Sequence, residues 1–427
     1  MNAAIIFILL LVLMLTGMPI SISLGLTVLT FLFGFTNVPL ESVALKLFTG
    51  IEKFEIMAIP FFILAGNFLT HGGVARRMIN FASSMVGHWY GGLGLAGVLA
   101  CALFAAVSGS SPATVVAIGS ILLPAMVKAG FPRSFGAGVI TTSGALGILI
   151  PPSIVMVMYS VATNTSVGAL FMAGVVPGIA LAAVLGGVTW YRARKFNYPR
   201  LPQASWGERV KAFRASAWGL LLIVIVMGGI YTGMFTPTEA AAMSAVYAFF
   251  VAVFVYKDMS LKDVPRVLLN SANMSAMLLY IITNAVLFSF IMTNENIPQA
   301  LADWMLGNGL GMITFLLAVN FILLLAGNFM EPSSIVLIFA PILFPVAMKL
   351  GIDPVHFGII MVVNMEVGMC HPPVGLNLYV ASGITKMGIT ELTVAVWPWL
   401  LSMLGFLLVV TYWPGLSLWF PRMLGML

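Results

Sequence analysis

Residues 144–153 read GALGILIPPS, and residues 368–377 read GMCHPPVGLN. Two adjacent prolines remove two backbone donors and push the residues before them out of the α region. A helix entering either stretch must break. In hydrocarbon, irregular backbone survives only where protein or a cavity satisfies it. Such a break frees carbonyl oxygens for a hard cation. It also leaves a half-helix whose N-terminus favours an anion.

The two stretches are related. A shift of 221 residues lays Ile121, Leu122, Pro124, Lys128, Gly130, Gly147, Pro151 and Pro152 on Ile342, Leu343, Pro345, Lys349, Gly351, Gly368, Pro372 and Pro373 without a gap. Preserved spacing between prolines and glycines points to two structural repeats, as in transporters built from inverted halves with broken helices.

Composition sets the solvent. Charged residues make up 7% of the 427 residues and hydrophobic ones 61%, against roughly 25% charged in a soluble domain. This excludes a soluble enzyme, a disordered chain and a secreted disulfide scaffold; a nucleic-acid binder is excluded too, despite the net charge of +6. Residues 3–40, 78–127 and 134–191 hold no Asp, Glu, Lys or Arg. A span needs about 20 residues, so the two longer windows each hold two crossings, or one crossing and a re-entrant hairpin. About eleven spans and two hairpins are expected over the chain. The N-terminus reads as a first membrane helix rather than a removed signal. Residues 41–55 read as an amphipathic interfacial helix.

Arg192, Arg194, Lys195, Arg200, Arg209, Lys211 and Arg214 crowd one stretch, opposed by Glu208. The positive-inside rule makes 191–215 a cytoplasmic linker facing anionic headgroups. It joins an N-terminal half, 1–190, to a C-terminal half, 216–427.

Each half carries a second irregular motif. In the first it is Ser108-Gly109-Ser110-Ser111-Pro112-Ala113-Thr114. In the second it is Gly327-Asn328 followed by Glu331-Pro332-Ser333-Ser334. Hydroxyls and a proline turn suit the tip of a re-entrant hairpin; small-residue helix packing with a kink is the plainer reading. Three acids lie in apolar sequence. Glu239 in TPTE reads equally as a helix cap. Glu331 reads as a substrate-facing group, a proton carrier or a cap, and Glu366 as a proton site or a structural partner. Cys101 and Cys370 read as packing residues. The four histidines form no metal-ligand spacing, and no nucleophile–base set or nucleotide loop stands out.

SGSSPATVVAIGSILLP (108–124), GALGILIPPS, Thr236 to Glu239, and Pro345 to Asn377 with GIDPVHFG and HPPVGLN together resemble the large membrane subunit of TRAP (tripartite ATP-independent periplasmic) transporters, the DctM-like family. The resemblance covers essentially the whole chain. It implies an all-α polytopic inner-membrane permease of elevator type, working with a smaller DctQ-like membrane subunit and a periplasmic DctP-like binding protein. It also implies Na⁺-coupled uptake without ATP or cofactor. The substrates implied are carboxylates, most often succinate, fumarate or malate, with sialic acid and other organic acids as alternatives.

Carried onto this sequence, one Na⁺ would sit between Ser108, Gly109, Ser110, Ser111 and Thr114 and the break at Gly144, Gly147, Pro151 and Ser153. A second would sit between Asn328, Glu331, Ser333 and Ser334 and the break at Gly368, Pro372, Pro373 and Gly375. Substrate would lie between the tips, with Ser111, Pro112, Ser153, Glu239, Pro332, Ser333 and Asn377 as candidates. The apolar segments offer no Arg or Lys clamp, so hydroxyls, amides, helix N-termini and cations must meet the anion. The rival readings are proton coupling through Glu331 or Glu366, an intramembrane enzyme, for which no clustered nucleophile, base or metal set stands out, and a passive channel.

Overall fold

The computed structural model describes residues 2–36, 38–309, 311–373 and 375–427. The described residues form helices joined by short turns. The first half runs α1 (Asn2–Leu15), α2 (Ile20–Phe35), α3 (Leu40–Thr49), α4 (Ala58–His71) and α5 (Val74–Val86), then α6 (Gly92–Ser108), α7 (Ser111–Lys128), α8 (Arg133–Ser143), α9 (Ile154–Thr163) and α10 (Val167–Lys195). The second runs α11 (Trp206–Tyr231), α12 (Pro237–Phe250), α13 (Val264–Asn294), α14 (Ile297–Gly307) and α15 (Met312–Gly327), then α16 (Pro332–Lys349), α17 (Pro354–Cys370), α18 (Leu376–Thr385), α19 (Ile389–Tyr412) and α20 (Gly415–Met423).

The repeat is visible in this order. In the first half α6 and α7 form a hairpin, α8 and α9 are two pieces of one broken helix, and α10 follows as a long helix. In the second half α15/α16, α17/α18 and α19 take the same places. Pro124 lies inside α7, and its mate Pro345 inside α16. Both Pro-Pro bonds, 151–152 and 372–373, are cis.

Among the described residues, eight helices are long and apolar enough to cross a membrane, the arms α7 and α16 included. The expectation of about eleven spans differs from this because α6, α9, α15 and α17 are apolar but each 17 residues or shorter. Breaks and hairpin turns cut parts of the charge-free windows into pieces this short, while α10 remains a full-length crossing. The amphipathic stretch 41–55 is α3 followed by a short 3₁₀ turn, Phe54–Met57.

The basic stretch is mostly helix. Only Arg200 lies in the connection between α10 and α11; Arg192, Arg194 and Lys195 end α10, and Arg209, Lys211 and Arg214 begin α11. A capping box starts α11 early: the Glu208 amide donates to Ser205 Oγ, and the Ser205 amide donates to the Glu208 carboxylate. The same device, Thr236 with Glu239, starts α12. Cations at the end of α10 also face its negative pole.

Replacing Thr236 by Ala is expected to cost about 1 kcal/mol of stability, the usual worth of an N-cap. Unfolding of the purified protein in detergent should show the loss, with the substrate KM unmoved. A raised KM would place Thr236 or Glu239 nearer the substrate than the fold does.

Candidate functional site

The first tip is built by a two-residue turn. α6 ends at Ser108, Gly109 takes φ +60°, and Ser110 opens α7 in extended conformation. A side chain is disfavoured at Gly109 by that φ, and a Cβ would lie 2.9 Å from the Pro152 carbonyl oxygen. The tip is therefore pressed against the first break. Its hydroxyls hold the turn: Ser108 Oγ and Thr114 Oγ1 are 2.9 Å apart, and Thr114 Oγ1 donates to the Ser110 carbonyl at 2.8 Å. Behind the tip, Gly147 brings the break so close that a Cβ there would lie 2.5 Å from Ser110 O. Gly144 meets α7 at Val115. Ser153 opens α9 as its N-cap, accepting from the Met156 amide.

The second tip follows the same plan with a longer turn, 328–331. Gly327 and Gly368 pass backbone against backbone, with a Cβ on Gly327 placed 2.8 Å from Gly368 Cα. The terminal Asn328 side-chain atom facing the break lies 2.9 Å from the His371 carbonyl oxygen and 3.0 Å from that of Pro372. With nitrogen inward it donates to both. The same atom lies 3.1 Å from His371 Nδ1, so with oxygen inward it can accept from that ring nitrogen while meeting two carbonyl oxygens, a convergence that a cation would favour. Ser334 Oγ donates to Glu331 Oε1 at 3.3 Å, and Ser334 is fully buried. Gly375 opens α18 with φ +35°. Val374, within the same motif, lies outside the described residues.

The halves meet through Asn377. Its Nδ2 donates to Ser111 Oγ at 2.7 Å and also reaches the Thr141 carbonyl at 3.4 Å. Both Ser111 and Asn377 are fully buried. The first tip is thus tied to the second broken helix.

Both tips open on one cavity of about 360 Å³. The first tip lines it with Ser108, Gly109, Ser110, Ser111, Pro112 and Ala113, and the second with Glu331, Pro332 and Ser333. Ile148, Ile154, Met369 and Leu376 of the two breaks complete that wall. α7 and α16 each begin here, so two positive helix ends face the same space. No Lys or Arg lines it among the described residues.

Other expected residues stand apart from the cavity. Ser153, Asn377, Asn328, Ser334, Thr114 and the break residues Gly144, Gly147, Pro151, Gly368, Pro372, Pro373 and Gly375 lie outside its lining and belong to the supporting layer just described. Glu239 caps α12, exposed, with its carboxylate on Thr236. Glu366 is fully buried in α17, and among the described residues neither of its oxygens has a hydrogen-bond partner.

The opposite wall escaped the sequence reading. α4 contributes Ile63, Gly66, Asn67 and Thr70, and α13 contributes Met274, Met277 and Leu278. α4 crosses the first tip at Gly66, where a Cβ would lie 3.2 Å from the Ser108 carbonyl oxygen. The available signal was Asn67 and Thr70, polar residues three apart in the apolar stretch 56–70.

The family model for the DctM component of the tripartite ATP-independent periplasmic transporter matches residues 7–416. This chain belongs to the DctM family. It is 77% identical to the C4-dicarboxylate TRAP transporter large permease protein DctM of Rhodobacter capsulatus, over 100% of both chains. To the protein of the same description from Pseudomonas aeruginosa it is 56% identical over 95% of each chain. Among solved structures, the Alcanivorax borkumensis YdaH transporter aligns with a TM-score of 0.61 at 16% identity, over 88% of this chain and 89% of that one. At that identity the likeness is one of fold. The DctM-family chain is accordingly a polytopic protein of the bacterial inner membrane, with two repeats of hairpin and broken helix.

Proposed function

We propose that this chain is the permease of a Na⁺-coupled, binding-protein-dependent importer of four-carbon dicarboxylates. The observation that carries the reading is the single cavity onto which both hairpin tips and both breaks open. The 77% identity to a C4-dicarboxylate permease supports the substrate class. A small membrane subunit and a periplasmic binding protein are its proposed partners, the latter delivering succinate, fumarate or malate. The proposed domains are the halves 1–190 and 216–427, joined by the basic linker 191–215.

Charge explains the need for a cation. The cavity offers a dianion hydroxyls and two helix ends, but Glu331 also faces it, and among the described residues no basic side chain answers either charge. Na⁺ at the second tip, near Glu331, Asn328 and the His371 and Pro372 carbonyls, neutralises that wall before the anion arrives. A second Na⁺ at the first tip uses the Ser108 to Thr114 turn and the Gly144 to Ser153 break. Binding of ions thus completes the anion site. The hairpin-bearing region then carries both across the membrane in an elevator movement, a step for which repeated sites facing one cavity are suited. A proton-coupled variant is favoured by one observation, the buried Glu366 carboxyl, which has no hydrogen-bond partner among the described residues.

Uptake of labelled succinate into proteoliposomes tests the reading, using this chain, its small subunit, an inward Na⁺ gradient and the binding protein. Accumulation should need all of them. Accumulation driven by a pH gradient without Na⁺ would replace the coupling ion, and Na⁺-driven uptake of a different acid only would replace the substrate.

Ser111→Ala and Ser334→Ala should raise the Na⁺ concentration for half-maximal uptake about fivefold and about tenfold, respectively. Each loses a hydrogen bond that fixes an ion-binding tip, worth about 1 kcal/mol for the neutral Ser111–Asn377 bond and about 1.5 kcal/mol for Ser334 on the Glu331 carboxylate. Na⁺ titrations that overlay wild type for both variants would refute the site.

A further inference from the structure

The cavity has two unlike walls. The tip wall is rich in hydroxyls and helix N-termini. The α4/α13 wall is apolar, through Ile63, Met274, Met277 and Leu278, apart from Asn67 and Thr70. We infer that Asn67, set in orientation by Ser271, is the specificity-determining residue that receives the second carboxylate of a diacid whose first carboxylate rests on the hairpin tips. This rests on the proposed dicarboxylate transport.

Donor bookkeeping singles out Asn67. Thr70 Oγ1 gives its one proton to the Gly66 carbonyl at 2.7 Å, so it shows the cavity only lone pairs, which repel a carboxylate. Ser271 Oγ gives its proton to the Val267 carbonyl at 2.8 Å, so toward Asn67 it can only accept. It accepts from Asn67 Nδ2 at 2.8 Å. That bond fixes the amide with nitrogen on the α13 side. An Asn amide has two N–H groups, and the other has no partner among the described residues. Asn67 is half-buried and lines the cavity, so the free donor is the one side-chain donor this wall can offer an anion.

The location gives the donor its meaning. α4 lies outside both repeats of hairpin and broken helix, yet touches the first tip at Gly66. A two-headed substrate therefore bridges the tips and a separate element. A monocarboxylate satisfies the tips and leaves the Asn67 donor without an acceptor. Discrimination against a substrate lacking a group that a site is built to bond is the strong kind of specificity.

The test is binding to the purified full chain with its small subunit in detergent, with Na⁺ present and the binding protein left out. Labelled succinate is displaced by unlabelled succinate or butyrate, which differ by one carboxylate. Asn67→Leu should weaken succinate about tenfold, one charge-assisted hydrogen bond, and move butyrate less than about twofold. The ratio of the two affinities then shrinks about five- to tenfold. Ser271→Ala, which frees the amide but keeps it, should give an intermediate ratio. Asn67→Ser serves if the leucine variant does not fold. An unchanged ratio, or equal weakening of both acids as a merely structural role would give, overturns the inference alone. Absence of Na⁺-dependent succinate binding to the wild type, even after the binding protein is added back, overturns the proposed function and this inference with it.

Discussion

Gly147→Ala and Gly368→Ala are each expected to cut Na⁺-driven uptake by about two orders of magnitude, the scale of loss when a working site is displaced by about 1 Å. These glycines are repeat mates, and each is where a break passes a hairpin at backbone distance. A Cβ on Gly147 would lie 2.5 Å from Ser110 O and 2.8 Å from Ser111 Cα. One on Gly368 would lie 2.9 Å from Gly327 Cα. All of these are backbone atoms, so no side chain can rotate away. The hairpin itself has to shift, and with it the Ser110 carbonyl, Ser111 and the turn carrying Asn328. Na⁺ affinity should fall together with transport rate. Gly187→Ala is the control, since a Cβ there meets nothing within 4 Å and α10 continues undisturbed. Uptake by purified, monodisperse Gly147→Ala and Gly368→Ala at the wild-type rate would show that the ion sites do not depend on this contact.

The same glycines show what the sequence could and could not disclose. Breaks and tips were legible because they are written in residues with backbone consequences: Pro151-Pro152, Pro372-Pro373, Gly109, Pro112 and Pro332. Spacing repeated at 221 residues then tied them into two copies. Caps were legible too, and Thr236-Pro237-Thr238-Glu239 is a capping box. The Ser111–Asn377 bond joins residues 266 apart in sequence; nothing local marks it, and the repeat relates neither residue to the other. Asn67 was passed over because an amide in an apolar helix is silent until its neighbours are known. Its meaning comes from Ser271 and from the tip at Ser108, which only folding brings near. Helix lengths were less legible: charge-free windows show where lipid is the solvent, and the tips show where the chain turns back, but neither shows how short the pieces on each side of a break become.

Glu331→Gln should raise the Na⁺ concentration needed for half-maximal uptake by about tenfold or more. Glu331 is the one acidic side chain lining the cavity among the described residues, and it stands at the start of α16. A carboxylate beside a site for a dianion is a repulsive element, and like charges in a poorly solvated space cost more than in water. On the proposed function, a cation bound between them would turn that repulsion into two attractions and make ion binding a condition for substrate binding. Removing the charge weakens the cation by one charge-assisted contact, about 1.5–3 kcal/mol, or about tenfold to a hundredfold. It also removes the repulsion, so the variant should bind succinate at low Na⁺ better than its Na⁺ affinity alone would allow. The coupling between ion and substrate, measured as the change in succinate affinity between low and saturating Na⁺, should therefore shrink. Coupling is reciprocal, so the effect of succinate on Na⁺ affinity must shrink by the same factor. Glu331→Asp keeps the charge on a shorter stem and should retain more of the coupling. If Gln at 331 leaves the coupling at its wild-type size, the cation that completes the anion site is held elsewhere, and the role given to the second tip is wrong.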